Sequence, residues 1–111
     1  MANITGHGWR KIMRANRDFT YVIDRVPEPQ QVFPFIQEHS NNSDEEMYGN
    51  FNMGAGFAVF MPEQSVKLAK QIARKQCGLN GEKVGYVENG PKQVVIRPKG
   101  LTFRSETLGV R

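Results

Sequence analysis

The stretch FAVFMPEQSVKLAKQIARKQCG, residues 57–78, joins an apolar run directly to an amphipathic segment. Residues 57–61 show no polar alternation, so they predict a buried central strand. Residues 62–77 predict a helix, because Pro62 suits its first turn and Gly78 suits the position after its last turn. One side of this helix is apolar and is predicted to face the core; it carries Val66, Ala69, Ile72 and Ala73.

Shorter elements are predicted on both sides of this strand and helix. Helices are expected over residues 9–16 and 31–39 and from Ser43 onward, and strands over residues 19–24, 82–88 and 93–97 and in the last stretch of the chain. Ser43 and Glu46 form a capping-box signature, and residues 89–92 (NGPK) predict a hairpin turn. We therefore expect an α/β (α+β) layered domain over residues 1–111, with helices packed on a mixed sheet.

The composition is that of one small globular domain. The chain has 111 residues, of which 39% are hydrophobic and 23% charged, with a net charge of +4; this mixture excludes a disordered or membrane-spanning chain. The longest apolar run is too short to cross a bilayer, and the first residues lack a signal-peptide pattern. The single cysteine, Cys77, excludes an internal disulfide and a multi-thiolate metal site, and we expect it to be packed. A reduced, cytoplasmic setting without a membrane partner is expected.

The first candidate site is a glycine-containing loop that runs into the first helix, formed by Thr5, Gly6, His7 and Gly8. The two glycines would let the backbone approach a ligand, and a helix start offers free N–H groups. His7 would be exposed there, and Arg10 could add a bidentate contact to an oxyanion. The pattern indicates a phosphate-binding corner. A plain turn with a helix cap explains the same residues, and the residues alone favour that simpler interpretation.

The second candidate site is the loop before the apolar run, which contains Asn52, Gly54 and Gly56. Glycines at the start of a strand mark a bulge or a close approach to a ligand, or they serve tight packing alone. Other polar residues have simpler explanations: His39 suits the negative end of a helix, and the acidic residues 44–46 suit a helix start. The two histidines and one cysteine form no metal-binding pattern.

Longer motifs resemble one enzyme family. SDEEMYGNFNMGAGFAVFMP, residues 43–62, resembles the segment EEMYRTFNMGVGM near the C-terminus of the phosphoribosylformylglycinamidine cyclo-ligases. NITGHG, residues 3–8, is similar to the ITGGG loop of that family, with His7 in place of a glycine. FTYVIDRVPEPQQVFPFIQE, residues 19–38, and KVGYV, residues 83–87, resemble further segments in the same order. The resemblance covers nearly the whole chain.

The resemblance implies a function in purine biosynthesis. Members of the family use ATP and Mg²⁺ to convert formylglycinamidine ribonucleotide into aminoimidazole ribonucleotide, with release of ADP and phosphate. They are homodimers whose active site lies between two α/β domains. The matching motifs imply that Thr5, Gly6, Gly8, Asn52, Gly54 and Gly56 face this site and bind a phosphorylated ribonucleotide; the argument from the loop itself adds His7 and Arg10.

The family's chain is much longer, and its ATP- and metal-binding half precedes the matching region. We therefore expect the C-terminal portion of such an enzyme, inactive alone, without strong binding of ATP or Mg²⁺. Its expected partners are a second copy, as a homodimer, or an N-terminal ATP-binding half. A stand-alone, non-catalytic binding or interaction module is the alternative. Nucleic acid is not expected as a partner despite a pI near 9.5, because exposed aromatic residues are not interleaved with the bases.

The two glycines of the second loop are expected to differ in role. Gly54 is expected to let a ligand approach, so that a side chain there would abolish binding with little loss of stability. Gly56 is expected to be needed for a positive φ or for tight packing against the strand, so that a side chain there would mainly unfold the protein.

Overall fold

Strand β2 (Phe19–Ile23) lies inside a four-stranded sheet and organises the fold. The computed structural model describes residues 2–6, 8–14 and 18–108. The other strands are β1 (Ala2–Asn3), β3 (Phe57–Ala58), β4 (Gly85–Asn89), β5 (Gln93–Ile96) and β6 (Leu101–Arg104). The α-helices are α1 (Val32–Ser40), α2 (Asp44–Asn50) and α3 (Val66–Cys77), and 3-10 helices span Gly8–Arg14, Glu63–Ser65, Arg97–Lys99 and Ser105–Leu108.

The four-stranded sheet is mixed, with the strand order β4-β2-β5-β6. Tyr21 of β2 pairs with Val87 of the antiparallel β4 and with Val94 of the parallel β5. The β-branched and aromatic residues of β2 suit a strand with neighbours on both edges. The predicted α/β class with a mixed sheet is confirmed.

The predicted hairpin between β4 and β5 is wrong, because β2 lies between these two strands. Residues 90–92 instead cross the end of β2, where the hydroxyl of Thr20 donates a hydrogen bond of 2.8 Å to the carbonyl of Pro91. A Cβ on Gly90 would lie 2.6 Å from that hydroxyl, so the crossing passes close over Thr20. The turn-forming residues 89–92 specify that the chain reverses here, but they do not specify that a third strand lies between β4 and β5.

The core lies between one face of this sheet and the helices that cover it. Alternate residues of β2, Tyr21 and Ile23, point into it. The first 3-10 helix (Gly8–Arg14) contributes Trp9, whose ring meets that of Tyr48 of α2 edge to face, with 5.3 Å between centroids. The remaining buried members of the core are Ile4, Ile12, Met13, Met47, Met53, Val94, Ile96 and Phe103. The first 3-10 helix and α2 therefore form a rigid base for the loops beside them.

Helices α1 and α2 begin within one residue of the positions that the sequence predicts. Pro34 is the third residue of α1, where its missing N–H costs no helical hydrogen bond. Phe33 and Ile36 of α1 pack against the core, whereas Val32 is exposed. The capping box at the start of α2 is confirmed, since Ser43 accepts from the Glu46 N–H and the Glu46 carboxylate accepts from the Ser43 N–H.

The prediction of a buried central strand over residues 57–61 is wrong. Only Phe57–Ala58 is a strand, and it belongs to a separate two-stranded sheet in which Phe57 pairs with Asn3 of β1. The Phe57 side chain is 64% exposed, and Val59 is exposed as well. The apolar run lies outside the four-stranded sheet, and only Ala58 and the Phe60 ring, whose centroid is 5.3 Å from that of Tyr21, pack on the core.

The helix predicted over residues 62–77 is confirmed, but its predicted contribution to the core is wrong. A 3-10 turn, Glu63–Ser65, leads into α3, and Gly78 ends the helix with φ 65° and donates its N–H to the carbonyl of Arg74. All of α3 is described, and none of its residues is buried. Ile72, a predicted core residue, is 50% exposed, and Cys77, expected to be packed, is also exposed. None of the helices in the described ranges is long and apolar enough to cross a membrane.

Candidate functional site

The two candidate loops lie side by side. We call residues 4–8 the first loop and residues 52–56 the second loop. β1 and β3 pair antiparallel just outside these loops, and the Ile4 N–H donates a hydrogen bond of 2.8 Å to the carbonyl of Gly56. The structure thus brings together two segments that are about fifty residues apart in the sequence. His7 belongs to the first loop by sequence, but it lies outside the described residues.

Asn52 organises the second loop. Its side-chain oxygen accepts a hydrogen bond of 2.8 Å from the Gly54 N–H, and its backbone carbonyl accepts one of 3.0 Å from the Ala55 N–H. The same carbonyl accepts a hydrogen bond of 2.9 Å from the indole of Trp9. Met53, between them, is buried and adopts φ 51°. Asn52 therefore shapes the loop and ties it to the core, and the loop's backbone conformation is set by these bonds.

Gly8 lies at the junction of the first loop with α2. It adopts φ 57°, and a Cβ there would lie 2.3 Å from the carbonyl oxygen of Tyr48. Its N–H donates a 2.7 Å hydrogen bond to the carbonyl of Thr5, which closes the turn of the loop. Only glycine fits such a position. The residue is buried, so its described role is to let the loop pack tightly on α2.

The expected need for a positive φ or for tight packing at Gly56 is wrong, and it is Gly54 that adopts a positive φ. Gly54 adopts φ 92°, a conformation strained for any residue with a side chain. Gly56 has no positive φ, and a Cβ on it would meet no described atom within 4 Å. The sequence shows where glycines occur, but the dihedral angle that each one adopts depends on the hydrogen bonds around it.

Arg10 holds the end of α2. Its Nε and Nη2 atoms both donate to the carbonyl oxygen of Gly49, at 3.0 and 2.6 Å. A cation at the last carbonyls of a helix is favourable, because the negative end of the helix dipole lies there. This contact fixes α2 against the first 3-10 helix. Arg14 is exposed on the same 3-10 helix.

Lys11 is the basic residue that reaches the first loop, and sequence reasoning missed it. Its ammonium group donates a hydrogen bond to the hydroxyl of Thr5. The predicted α-helix places Arg10 and Arg14 on one face, whereas a 3-10 helix has three residues per turn and directs these side chains differently. The sequence signal was present, since Lys11 follows Arg10 directly, but the helix type decides which base meets the loop.

The donors at the paired loops suit an oxyanion better than a metal ion. Thr5 offers a hydroxyl and Lys11 an ammonium group; such groups bind phosphate oxygens. Neither loop contains an aspartate or a glutamate. Within the described ranges, no group of three or more histidine, cysteine, aspartate or glutamate side chains could hold a metal ion. These residues therefore do not fit Mg²⁺, which prefers carboxylate oxygens.

The other polar candidates lie on helices, each with a structural contact. His39 stacks on Phe35 with 4.2 Å between ring centroids, and its Nδ1 lies 2.9 Å from the Phe35 carbonyl. Asp44 accepts a hydrogen bond of 3.0 Å from the side chain of Gln37 at the start of α2. On the surface, Lys83 pairs with Glu63 at 2.8 Å, which lowers the pKa of Glu63 and raises that of Lys83. None of these contacts involves the paired loops.

The fold and the paired loops define a class: a mixed α/β unit with a loop corner suited to an anion. The chain is 45% identical to the phosphoribosylformylglycinamidine cyclo-ligase of Methanocaldococcus jannaschii over 75 residues, which is 68% of this chain and 21% of the relative. It is 39% identical to the enzyme of that name from Methanopyrus kandleri over 100 residues, or 90% of this chain and 28% of the relative.

A third relative, the phosphoribosylformylglycinamidine cyclo-ligase of Thermoplasma volcanium, is 41% identical over 90 residues, which is 81% of this chain and 26% of the relative. No family model matches the chain. The chain is a homologue of the phosphoribosylformylglycinamidine cyclo-ligases. It spans about a quarter of the length of the curated relatives that it matches.

Proposed function

We propose that this chain is the C-terminal portion of a phosphoribosylformylglycinamidine cyclo-ligase of purine biosynthesis. The reaction converts formylglycinamidine ribonucleotide and ATP into aminoimidazole ribonucleotide, ADP and phosphate. The relatives' names support the activity, and the order of the matching motifs supports the C-terminal placement. In this proposal the homodimer is a property of the complete enzyme, and its setting is the cytoplasm.

The observation that carries the proposal is the pairing of the two loops. The bond from Ile4 to Gly56 and the bond from Trp9 to Asn52 hold them together, while Lys11 sits beside Thr5. We assign the phosphate of the ribonucleotide to the exposed side of this corner. Thr5 and Gly6 are exposed there, so the Thr5 hydroxyl and the backbone of Gly6 are accessible to a phosphate.

ATP and Mg²⁺ belong to the proposed reaction, but the described residues provide no carboxylate set for the metal. We therefore propose that the nucleotide and its metal are held by a part of the enzyme that this chain does not supply. The task of this chain is then to bind and orient the ribonucleotide. It would bind the phosphorylated substrate weakly by itself and would not turn it over.

Isothermal titration with formylglycinamidine ribonucleotide tests the proposal. The wild-type chain is expected to bind it, and the corresponding nucleoside without phosphate is expected not to bind. Lys11→Gln is expected to weaken binding at least about tenfold, because it removes the charge beside Thr5. Lys75→Gln, on exposed α3, is the matched control and is expected to bind like the wild type. Equal binding of nucleotide and nucleoside, or no binding of either, would contradict the proposal.

A further inference from the structure

Residues 57–79 expose apolar side chains that their sequence pattern places on the inside of a protein. On α3, Leu68 is 60% and Ile72 50% exposed. They lie four residues apart, so they share one face of the helix. Leu79, which follows the helix, is exposed too. We call Leu68 and Ile72 with Leu79 the apolar stripe.

The other side of α3 is basic and polar. Lys67, Lys70 and Gln71 line an open groove of about 440 Å³, together with Glu63, Val66 and Lys83. The small residues Val66, Ala69 and Ala73 are half-buried. A helix of this length is stable mainly through packing of its apolar face. Leu68 and Ile72 of the apolar stripe are thus the apolar residues of α3 that stay half exposed or more within the described chain.

The strand before α3, β3, also has few partners within the described chain. β3 pairs only with β1 within the described sheets, over two residues. Phe57 and Val59 expose their side chains beside this short pairing. A strand edge with apolar neighbours is a template for a further strand. β3 and the apolar stripe belong to one continuous stretch of chain, residues 57–79.

We propose that the apolar stripe and β3 are the docking surface for the remaining part of a cyclo-ligase, supplied as polypeptide beyond these 111 residues. This inference rests on the proposed function. The matched relatives are several times longer than the segment they share with this chain, so the family provides the polypeptide that such a surface requires. Burial of two leucines and an isoleucine would stabilise the contact through the hydrophobic effect.

The charge of α3 favours this occupant over a second copy of the chain. The helix carries Lys67, Lys70, Arg74 and Lys75 and no acidic residue. A two-fold contact through the apolar stripe would bring two basic helices together, and their like charges would repel. The partner surface is therefore apolar in its centre with carboxylates at its margin.

Co-expression tests the proposal. The tagged full chain is produced together with the Methanopyrus kandleri cyclo-ligase from which the matching segment has been removed, and the complex is measured by native mass spectrometry and sedimentation. A one-to-one complex is expected. The double variant Leu68→Glu, Ile72→Glu is expected to weaken it at least about tenfold, since it places charge in an apolar contact. Gln71→Glu, which adds one carboxylate on the groove side of α3, is expected to leave the complex intact.

A second measurement does not depend on the affinity of the separate pieces. The same truncated relative is joined to the N-terminus of the full chain, and amide exchange in α3 is followed. Exchange is expected to be slow in the wild-type fusion and fast in the Leu68→Glu, Ile72→Glu fusion. Equal exchange in both would overturn the proposal. So would a dimer of the chain alone that these two substitutions dissociate, because the stripe would then be covered by a second copy.

The outcomes separate this inference from the proposed function. A complex that depends on the apolar stripe but binds no ribonucleotide would support the docking surface and contradict the proposed function. Ribonucleotide binding by the chain, with no complex and no slowing of amide exchange in α3, would support the proposed function and contradict the docking surface.

Discussion

The indole Nε1 of Trp9 donates a hydrogen bond of 2.9 Å to the backbone carbonyl of Asn52, 43 residues further along the chain. Trp9 is buried and packs edge to face on Tyr48. The polar edge of the indole therefore joins the core to the second loop. The conformation of the paired loops thus depends on the packing of one aromatic side chain. A substitution in the core can thus change ligand binding without touching the ligand.

Trp9→Phe tests this link. The change removes the hydrogen bond to Asn52 and leaves a cavity, so the free energy of unfolding is expected to fall by about 2–4 kcal/mol. Affinity for formylglycinamidine ribonucleotide is expected to fall as well, in conditions where the variant stays folded. Urea unfolding and titration measure the two effects. Phe35→Leu, at an exposed ring on α1, is the control and should change neither. Unchanged binding by a destabilised Trp9→Phe variant would show that the bond does not shape the site.

Replacing each of three glycines by alanine distinguishes the cost of close packing from the cost of backbone strain. Gly8→Ala is expected to cost more than about 3 kcal/mol, because the new Cβ would overlap the Tyr48 carbonyl at a position with positive φ. Gly54→Ala is expected to cost about 1–2 kcal/mol from φ alone. Gly56→Ala meets open space, and its effect is expected to stay within about 0.5 kcal/mol. Thermal melting gives the order, and a Gly56→Ala variant less stable than Gly8→Ala would contradict it.

Two buried tyrosines make stability fall at alkaline pH. Burial raises the pKa of Tyr21 and of Tyr48, and the charge of Asp44 adds to the effect on Tyr48. Above about pH 10 the unfolded chain loses these phenolic protons first. Unfolding then releases protons, so the free energy of unfolding decreases as pH rises towards the folded pKa values.

Tyr21→Phe checks this behaviour at one residue. The hydroxyl of Tyr21 is buried and has no hydrogen-bond partner among the described residues. Removing it is expected to raise stability at pH 7 by about 1 kcal/mol and to reduce the decline above pH 10. Urea unfolding at several pH values measures both. A loss of stability at pH 7 would mean that the hydroxyl is satisfied by a group such as a bound water.

Ser43→Ala tests the capping box of α2. The serine hydroxyl accepts from the Glu46 N–H, so its removal is expected to cost about 1 kcal/mol. Ser40→Ala is the control: its hydroxyl donates to the Ile36 carbonyl within α1, and its loss is expected to cost less, since that carbonyl is already part of a helix. Chemical unfolding of both variants gives the comparison, and equal costs would exclude a capping contribution from Ser43.

Features fixed by neighbouring residues could be predicted from the sequence. The capping box of Ser43, the end of α3 at Gly78 and the strand content of β2, β4 and β5 all depend on a few adjacent residues. Strand pairing could not be predicted in the same way, because the partner of β4 lies more than sixty residues upstream. Residues 57–61 have the composition of a core strand, but burial requires a covering layer, which composition does not provide.

The candidate site was predictable only in part. The glycine motifs located both loops, and family resemblance suggested that they face one site. Their contact depends on the pairing of β1 with β3, which has no local signal. Arg10 contacts Gly49 and Lys11 contacts Thr5 because this helix is a 3-10 helix rather than an α-helix. Helix type and dihedral angles follow from tertiary contacts, so the sequence alone could not assign Arg10, Lys11 or the glycines.

The position of β2 between β4 and β5 sets the order in which the protein can assemble during translation. During translation β2 is made before both of its neighbours, which come from residues 85–96. Until then both edges of an apolar strand are unpaired, a state prone to aggregation. A product that ends before Gln93 therefore lacks the strand that joins β2 to β6 and cannot close the four-stranded sheet.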